Sequence, residues 1–263
     1  MKKNILKFVF FLFAITFFSG CNADTFMKTF LNKTAPKEDD EFARRYLGIL
    51  KTNNLDRAIE LLSPEVKESN IKSKIQAIIP LLKKGEPVSI EMVGCNVVYS
   101  VYKRISYFTY QYQFKDSWLV VDVIVENIEG KQQILGINVN PIPASLKEIN
   151  AFTFAGKRTV NYIFLGIAII VSLVILYSFI LCKKTKMRKK WLWIILIFCG
   201  VTSLRLNWTT GQIIFQPLTG NLEIFLGFSI VRQGLYAPWI LSTYFPLGAI
   251  LFLIKRKKLQ INT

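Results

Sequence analysis

Two groups of side chains in this sequence could do chemistry. The first lies where apolar and polar residues alternate with period two. Gln111, Asp122, Glu126 and Asn138 fall on positions that can form one polar stripe across neighbouring strands. If that stripe lines a pocket, Asp122 is the candidate general base or ligand anchor, because a carboxylate among apolar walls is placed to take a proton or hold a donor. If it faces water, it is the solvated side of an alternating sheet. The second group is Arg205, Glu223 and Arg232, the ionisable residues of an otherwise apolar C-terminal stretch. At membrane depth such groups mark a pathway or a paired site; at the outer interface they are simply solvated. The 263 residues include no His, which removes the Ser-His-Asp triad, the Cys-His pair and the His metal ligand. No catalytic motif stands out, and neither a metal nor a cofactor is implied.

The elements that must position the stripe can be read from periodicity. Phe42, Tyr46, Leu47 and Leu50 recur at helical spacing, with Asp39 or Asp40 as N-cap. Leu55, Ala58, Ile59 and Leu62 continue on a second helix. Ser63-Pro64-Glu65 starts a third, whose stripe runs from Ile71 to Leu82 with Pro80 as a possible kink. The period then changes to two, and strands are predicted over 88–102, 104–114, 118–128 and 132–140, joined by short turns. Long strands with short turns make an antiparallel meander. Ser145 and Glu148 form a capping-box pair for a short helix beyond the sheet. Cys95 reads as a buried free thiol, with Cys182 and Cys199 in or beside a membrane.

Helices followed by a four-stranded meander over roughly 40–143 resemble the NTF2-like, cystatin-like fold. That resemblance implies an α+β domain in which helices pack on a curved antiparallel sheet and leave a cone-shaped pocket. It implies either a noncatalytic binding or assembly module, or a pocket enzyme of the isomerase and dehydratase kind using Asp and His. Without His, that pairing cannot form here.

The charge has a location. There are 34 Lys plus Arg against 17 Asp plus Glu, a net +17. Much of it sits in Met1–Lys7, in Lys183–Lys190 and in Lys255–Lys258, each abutting an apolar run. That is the positive-inside pattern of a membrane protein rather than the basic face of a nucleic-acid binder. Phe8–Phe18 is an apolar stretch too short for an ordinary span, ending Phe18-Ser19-Gly20-Cys21. It resembles the lipobox of bacterial lipoproteins, which implies a signal peptide over 1–20 and acylation of Cys21; the alternative is an uncleaved signal anchor. Residues 21–41 read as a polar tether and 42–158 as the extracytoplasmic domain. Residues 159–254 read as an α-helical membrane domain of three, possibly four, spans at about 160–182, 191–208 and 235–254. The stretch 213–231 is then interfacial, re-entrant or a fourth span, and 255–263 is a basic cytoplasmic tail.

The expected function is a membrane-anchored binding or assembly module in the bacterial inner membrane. Its partners would be the lipid bilayer and an envelope or membrane protein, without nucleic acid. The alternatives are a transporter or channel subunit using Arg205, Glu223 and Arg232, and a pocket enzyme using Asp122.

Overall fold

The computed structural model describes residues 23–68, 70–82, 85–216, 223–224, 227–232 and 234–259. It divides into two compact units, 1–149 with 234–236, and 150–233 with 237–263. Each is described by itself.

The first unit begins with helix α1, Ala23–Thr34, so most of the expected tether is helical. Helix α2, Lys37–Lys51, follows, with Pro36 rather than Asp39 or Asp40 at the N-cap position. The expected cap is displaced because Pro36 already sets the extended φ that opens the helix, which leaves both aspartates in its first turn. Helix α3, Leu55–Glu60, is capped by Asn54, whose side-chain oxygen accepts from Arg57 N at 3.2 Å. Ser63-Pro64-Glu65 opens only a 3-10 turn, Pro64–Val66, before helix α4, Ile71–Leu82.

The sheet then runs β1 Ser89–Tyr99, β2 Lys103–Gln113, β3 Trp118–Ile128 and β4 Lys131–Ile142. The strands pair antiparallel in sequence order. One face of β2 and β3 carries Phe108, Tyr110, Tyr112, Leu119, Val121, Val123 and Val125, all buried. Against them pack Phe42, Tyr46, Leu47 and Leu50 of α2 and Ile75, Ile79 and Leu82 of α4 in one apolar core. The four-residue helix α5, Leu146–Ile149, follows the sheet, and Ser145 Oγ accepts from Glu148 N at 3.2 Å.

The second unit overturns the expected fold class. Only one helix in the described residues, α6 at Thr159–Lys184, is long and apolar enough to cross a membrane. Its 26 residues extend about 39 Å, more than the ~30 Å hydrocarbon core. The run expected to span at 191–208 is instead helix α7, Lys190–Ile197, followed by strand β5, Cys199–Asn207. The run expected at 235–254 is largely strand β9, Trp239–Phe245, followed by helix α8, Leu247–Leu259. Between them lie β6 Ile213–Gln216, β7 Glu223–Ile224 and β8 Phe228–Arg232, so 213–231 is neither a span nor a hairpin of helices in its described parts. The strands pair in the order β6-β5-β9-β8, with β7 on the start of β5.

Hydropathy misled here because a short apolar run suits a buried strand as well as a helix. Gly200, Val201, Thr202 and Ser203 in β5, and Ser242 and Thr243 in β9, are weaker helix formers than Leu or Ala, and the β-branched Val201, Thr202 and Thr243 favour strands. Close packing adds to this. A Cβ on Gly200 would stand 1.7 Å from the Tyr244 ring, so only glycine admits that ring against β5. Helices α7 and α8 are about 12 and 20 Å long, too short to span alone. Trp208, expected in an interfacial belt, is fully buried and its indole N–H donates to the Thr153 carbonyl at 2.8 Å.

Candidate functional site

The polar stripe exists, but on the face of the sheet away from the helices. Thr109, Asp122 and Asn138 share one rung across β2, β3 and β4. Asp122 is half-buried and accepts from the Thr109 hydroxyl at 2.7 Å. Gln111 is buried because the chain after β4 returns beneath it, and its Oε1 accepts from Leu146 N at 2.7 Å. Glu126 is buried at the opposite end of the stripe, where it accepts from Lys103 Nζ at 3.1 Å and from the Ser63 hydroxyl at 3.5 Å. Asn138 is exposed. The four therefore share a face without converging. The volume between helices and sheet, where a pocket would need them, is occupied by the apolar core.

The most concentrated polar constellation of this unit is one that periodicity did not select. Asp39, in the first turn of α2, is fully buried. Arg104 of β2 meets it bidentately, Nε to Oδ2 and Nη2 to Oδ1, both at 2.8 Å. Ser106 Oγ donates to Oδ2 at 2.6 Å, Gln132 Nε2 to Oδ1 at 2.9 Å and Asn127 Nδ2 to Oδ1 at 3.4 Å. Burial pushes the carboxyl pKa up, but the Arg104 guanidinium and the Ser106 and Gln132 donors outweigh it and hold it below its ordinary 3.8. Such a group stays ionised near neutral pH with its acceptor capacity filled. It cannot act as a base. Its role is to fasten α2 to three strands at once. The signal for it was present: Asp39 stands three, four and seven residues before Phe42, Ala43 and Tyr46, on the same face of the helix.

Next to it, Asp40 accepts from the Tyr110 hydroxyl at 2.6 Å and from Arg44 Nε at 3.0 Å. Cys95 is a free, partly buried thiol. Burial first, then the Asp40 and Asp39 carboxylates, push its pKa up to about 11, which leaves almost no reactive thiolate at neutral pH.

In the second unit the three candidate ionisable residues stand on three different strands, β5, β7 and β8. Arg205 lies two residues from the end of β5, opposite Ser242 of β9. Glu223 pairs with Gly200, five residues back along β5, about 17 Å of extended chain. Arg232 is at the end of β8 opposite Trp239, with its guanidinium 5.1 Å from the centre of that ring. Sequence proximity in an apolar region suggests a cluster, and the strand registers place the three backbones on different rungs. Cys21 lies outside the described residues.

No protein-family model and no curated protein matches the chain.

A further surface is legible only in the structure. At the β1–β2 turn the apolar residues point out: Val101 is 88 % exposed, Tyr102 75 % and Tyr99 71 %. Val98 beside them and Ile128, which pairs with Lys103, are exposed too. Solvated aliphatic and aromatic side chains gathered at one sheet end are unlike the scattered apolar residues of an ordinary surface.

Proposed function

We propose that this chain is a membrane-anchored binding or assembly module. Residues 22–158 are carried on the extracytoplasmic side of a bacterial inner membrane, tethered by acylated Cys21 and by α6, with the basic C-terminal end in the cytoplasm. Its partner is an envelope or membrane protein.

The observation that carries this reading is the apolar tip of the β1–β2 hairpin. The first unit already has a complete core, so Tyr99, Val101 and Tyr102 are not needed to fold it, and tyrosines in particular suit interface anchors. The anchor is supported by α6, most of whose residues are exposed or only partly covered within its own unit. The buried Asp39 carboxylate is saturated by donors and the Cys95 thiol is protonated, so neither is poised as a base or nucleophile near neutral pH.

The test is in two parts. A photo-crosslinking residue in place of Tyr102 should give one discrete protein adduct in intact cells, abolished by Val101→Asp with no change in melting temperature. An adduct indifferent to Val101→Asp, or none at all, counts against the tip as the binding surface. Val101→Cys should react with a membrane-impermeant maleimide from outside the cell, since the Cys95 background is suppressed. Reaction only after lysis reverses the topology.

A further inference from the structure

The basic runs 183–190 and 255–258 are far apart in sequence, yet the fold of the second unit joins them. Helix α6 ends at Lys184 and α8 at Leu259. Arg256 Nε donates to Thr185 Oγ1 at 3.3 Å, and that hydroxyl donates to the Leu181 carbonyl at 2.8 Å. Helix α7 starts alongside, where Lys190 Nζ donates to the Lys183 carbonyl at 3.1 Å. Beneath these ends Cys182, Met187, Ile197, Ala249 and Phe252 form a single apolar cluster. Gly248 makes the close approach possible, since a Cβ there would meet the Leu196 carbonyl oxygen at 1.6 Å.

Three helix ends thus build one pole that carries ten Lys and Arg side chains, most of them exposed. Residues 150–263 contain a single acidic residue, Glu223, and its strand pairs with the start of β5, beyond the far end of α7. The C-terminal dipoles of α6 and α8 contribute roughly half a negative charge each, far short of ten positive ones. So dense a pole repels itself unless anions lie against it.

We infer that this pole is a binding site for the headgroups of anionic phospholipids, and the inference rests on reading α6 as a span. What selects a lipid over a soluble anion is the flank. Tyr177 and Ile180 of α6 and Ile254 of α8 are exposed apolar side chains directly before the basic residues. Acyl chains can lie along them while the phosphates reach the ammonium groups. Lysine stems suit this boundary, as Lys183 illustrates with its ammonium 5.3 Å from the centre of the Phe179 ring. A free phosphate or a nucleic acid gains nothing from the apolar flank.

The full-length chain in neutral detergent, titrated with phosphatidylglycerol or phosphatidylcholine, tests this by melting temperature and by lipid adducts in native mass spectrometry. Phosphatidylglycerol alone should raise the melting temperature saturably, and about 0.5 M NaCl should abolish the rise. Lys184, Lys186, Lys255 and Lys257 changed together to Gln should weaken the response at least ~10-fold, while the same four changed to Arg should keep it. Equal responses to both lipids overturn the inference, as does an equal response to inorganic phosphate or a larger one to an RNA oligonucleotide. Alkaline carbonate extraction of cell membranes carrying the Cys21→Ser chain, which no acyl group holds, separates the two readings. A chain released by carbonate refutes the span; one retained without preference for phosphatidylglycerol refutes only the lipid site.

Discussion

At the scale of single residues, Asp39 and Tyr46 lie on one face of α2 and represent opposite outcomes of burying a polar group. Asp39 has five side-chain donor atoms around it. Removing its charge leaves the partly exposed Arg104 facing a neutral amide, so Asp39→Asn should cost about 1.5–3 kcal/mol, read from denaturant titrations in detergent. Its pH dependence has a definite sign. The folded pKa lies below the unfolded value of 3.8, so the unfolded chain takes up the proton first as the medium is acidified. The stabilisation is complete at neutral pH and is lost as pH falls from about 5 through the folded pKa; Asp39→Asn should flatten that part of the acid limb. Tyr46 is fully buried and its hydroxyl has no hydrogen-bond partner among the described residues. Tyr46→Phe should therefore leave the melting temperature unchanged or raise it, by up to about 1 kcal/mol of stability. A clear loss would mean the hydroxyl is bonded after all.

Among the elements, the two units differ in how far sequence pattern reaches. The strands of the first sheet could be placed within a few residues because long period-two alternation has few competing explanations. The second unit could not, because its strands are shorter, lack a clean period-two alternation and are flanked by Trp and Phe, a composition shared by helix and strand. What decides it is tertiary: Tyr244 against Gly200, and Leu196 against Gly248. The same limit applies to the candidate sites. That Asp122 and Glu126 share a face follows from alternation alone, but which face is covered depends on where the helices dock. Gly248→Ala makes the point measurable. A methyl group there collides with a backbone carbonyl, which cannot swing aside as a side chain can. The substitution should cost roughly 1–3 kcal/mol in detergent melts and, if α8 is pushed off α7, loosen the basic pole as well. Gly166, with nothing near its Cβ position, is the control and should tolerate alanine far better.

For the whole molecule, the net +17 resolves into two unlike parts. Residues 22–149 hold 17 basic and 16 acidic side chains, close to balance; residues 150–263 hold 14 basic and one. The first part has the charge economy of a domain surrounded by water. The second joins a long bare apolar helix to a concentrated positive end. The chain with Cys21→Ser, which lacks any acyl anchor, should accordingly remain in the pellet through alkaline carbonate extraction. Recovery in the supernatant would deny that α6 crosses the bilayer. The absence of His lies across both parts and keeps their electrostatics insensitive to pH between about 5 and 8, where that side chain alone ordinarily titrates.

The Asp39 network also sets an order of events in the making of the protein. Its partners are 65, 67, 88 and 93 residues further along the chain. Until Gln132 has been synthesised, the Asp39 carboxylate lacks part of its donor set, and docking helix α2 early would bury a charge that is incompletely satisfied. At ordinary elongation rates that is a wait of roughly 5–20 s. Over that interval full docking of α2 is disfavoured, and the first unit should complete its core only once its fourth strand arrives.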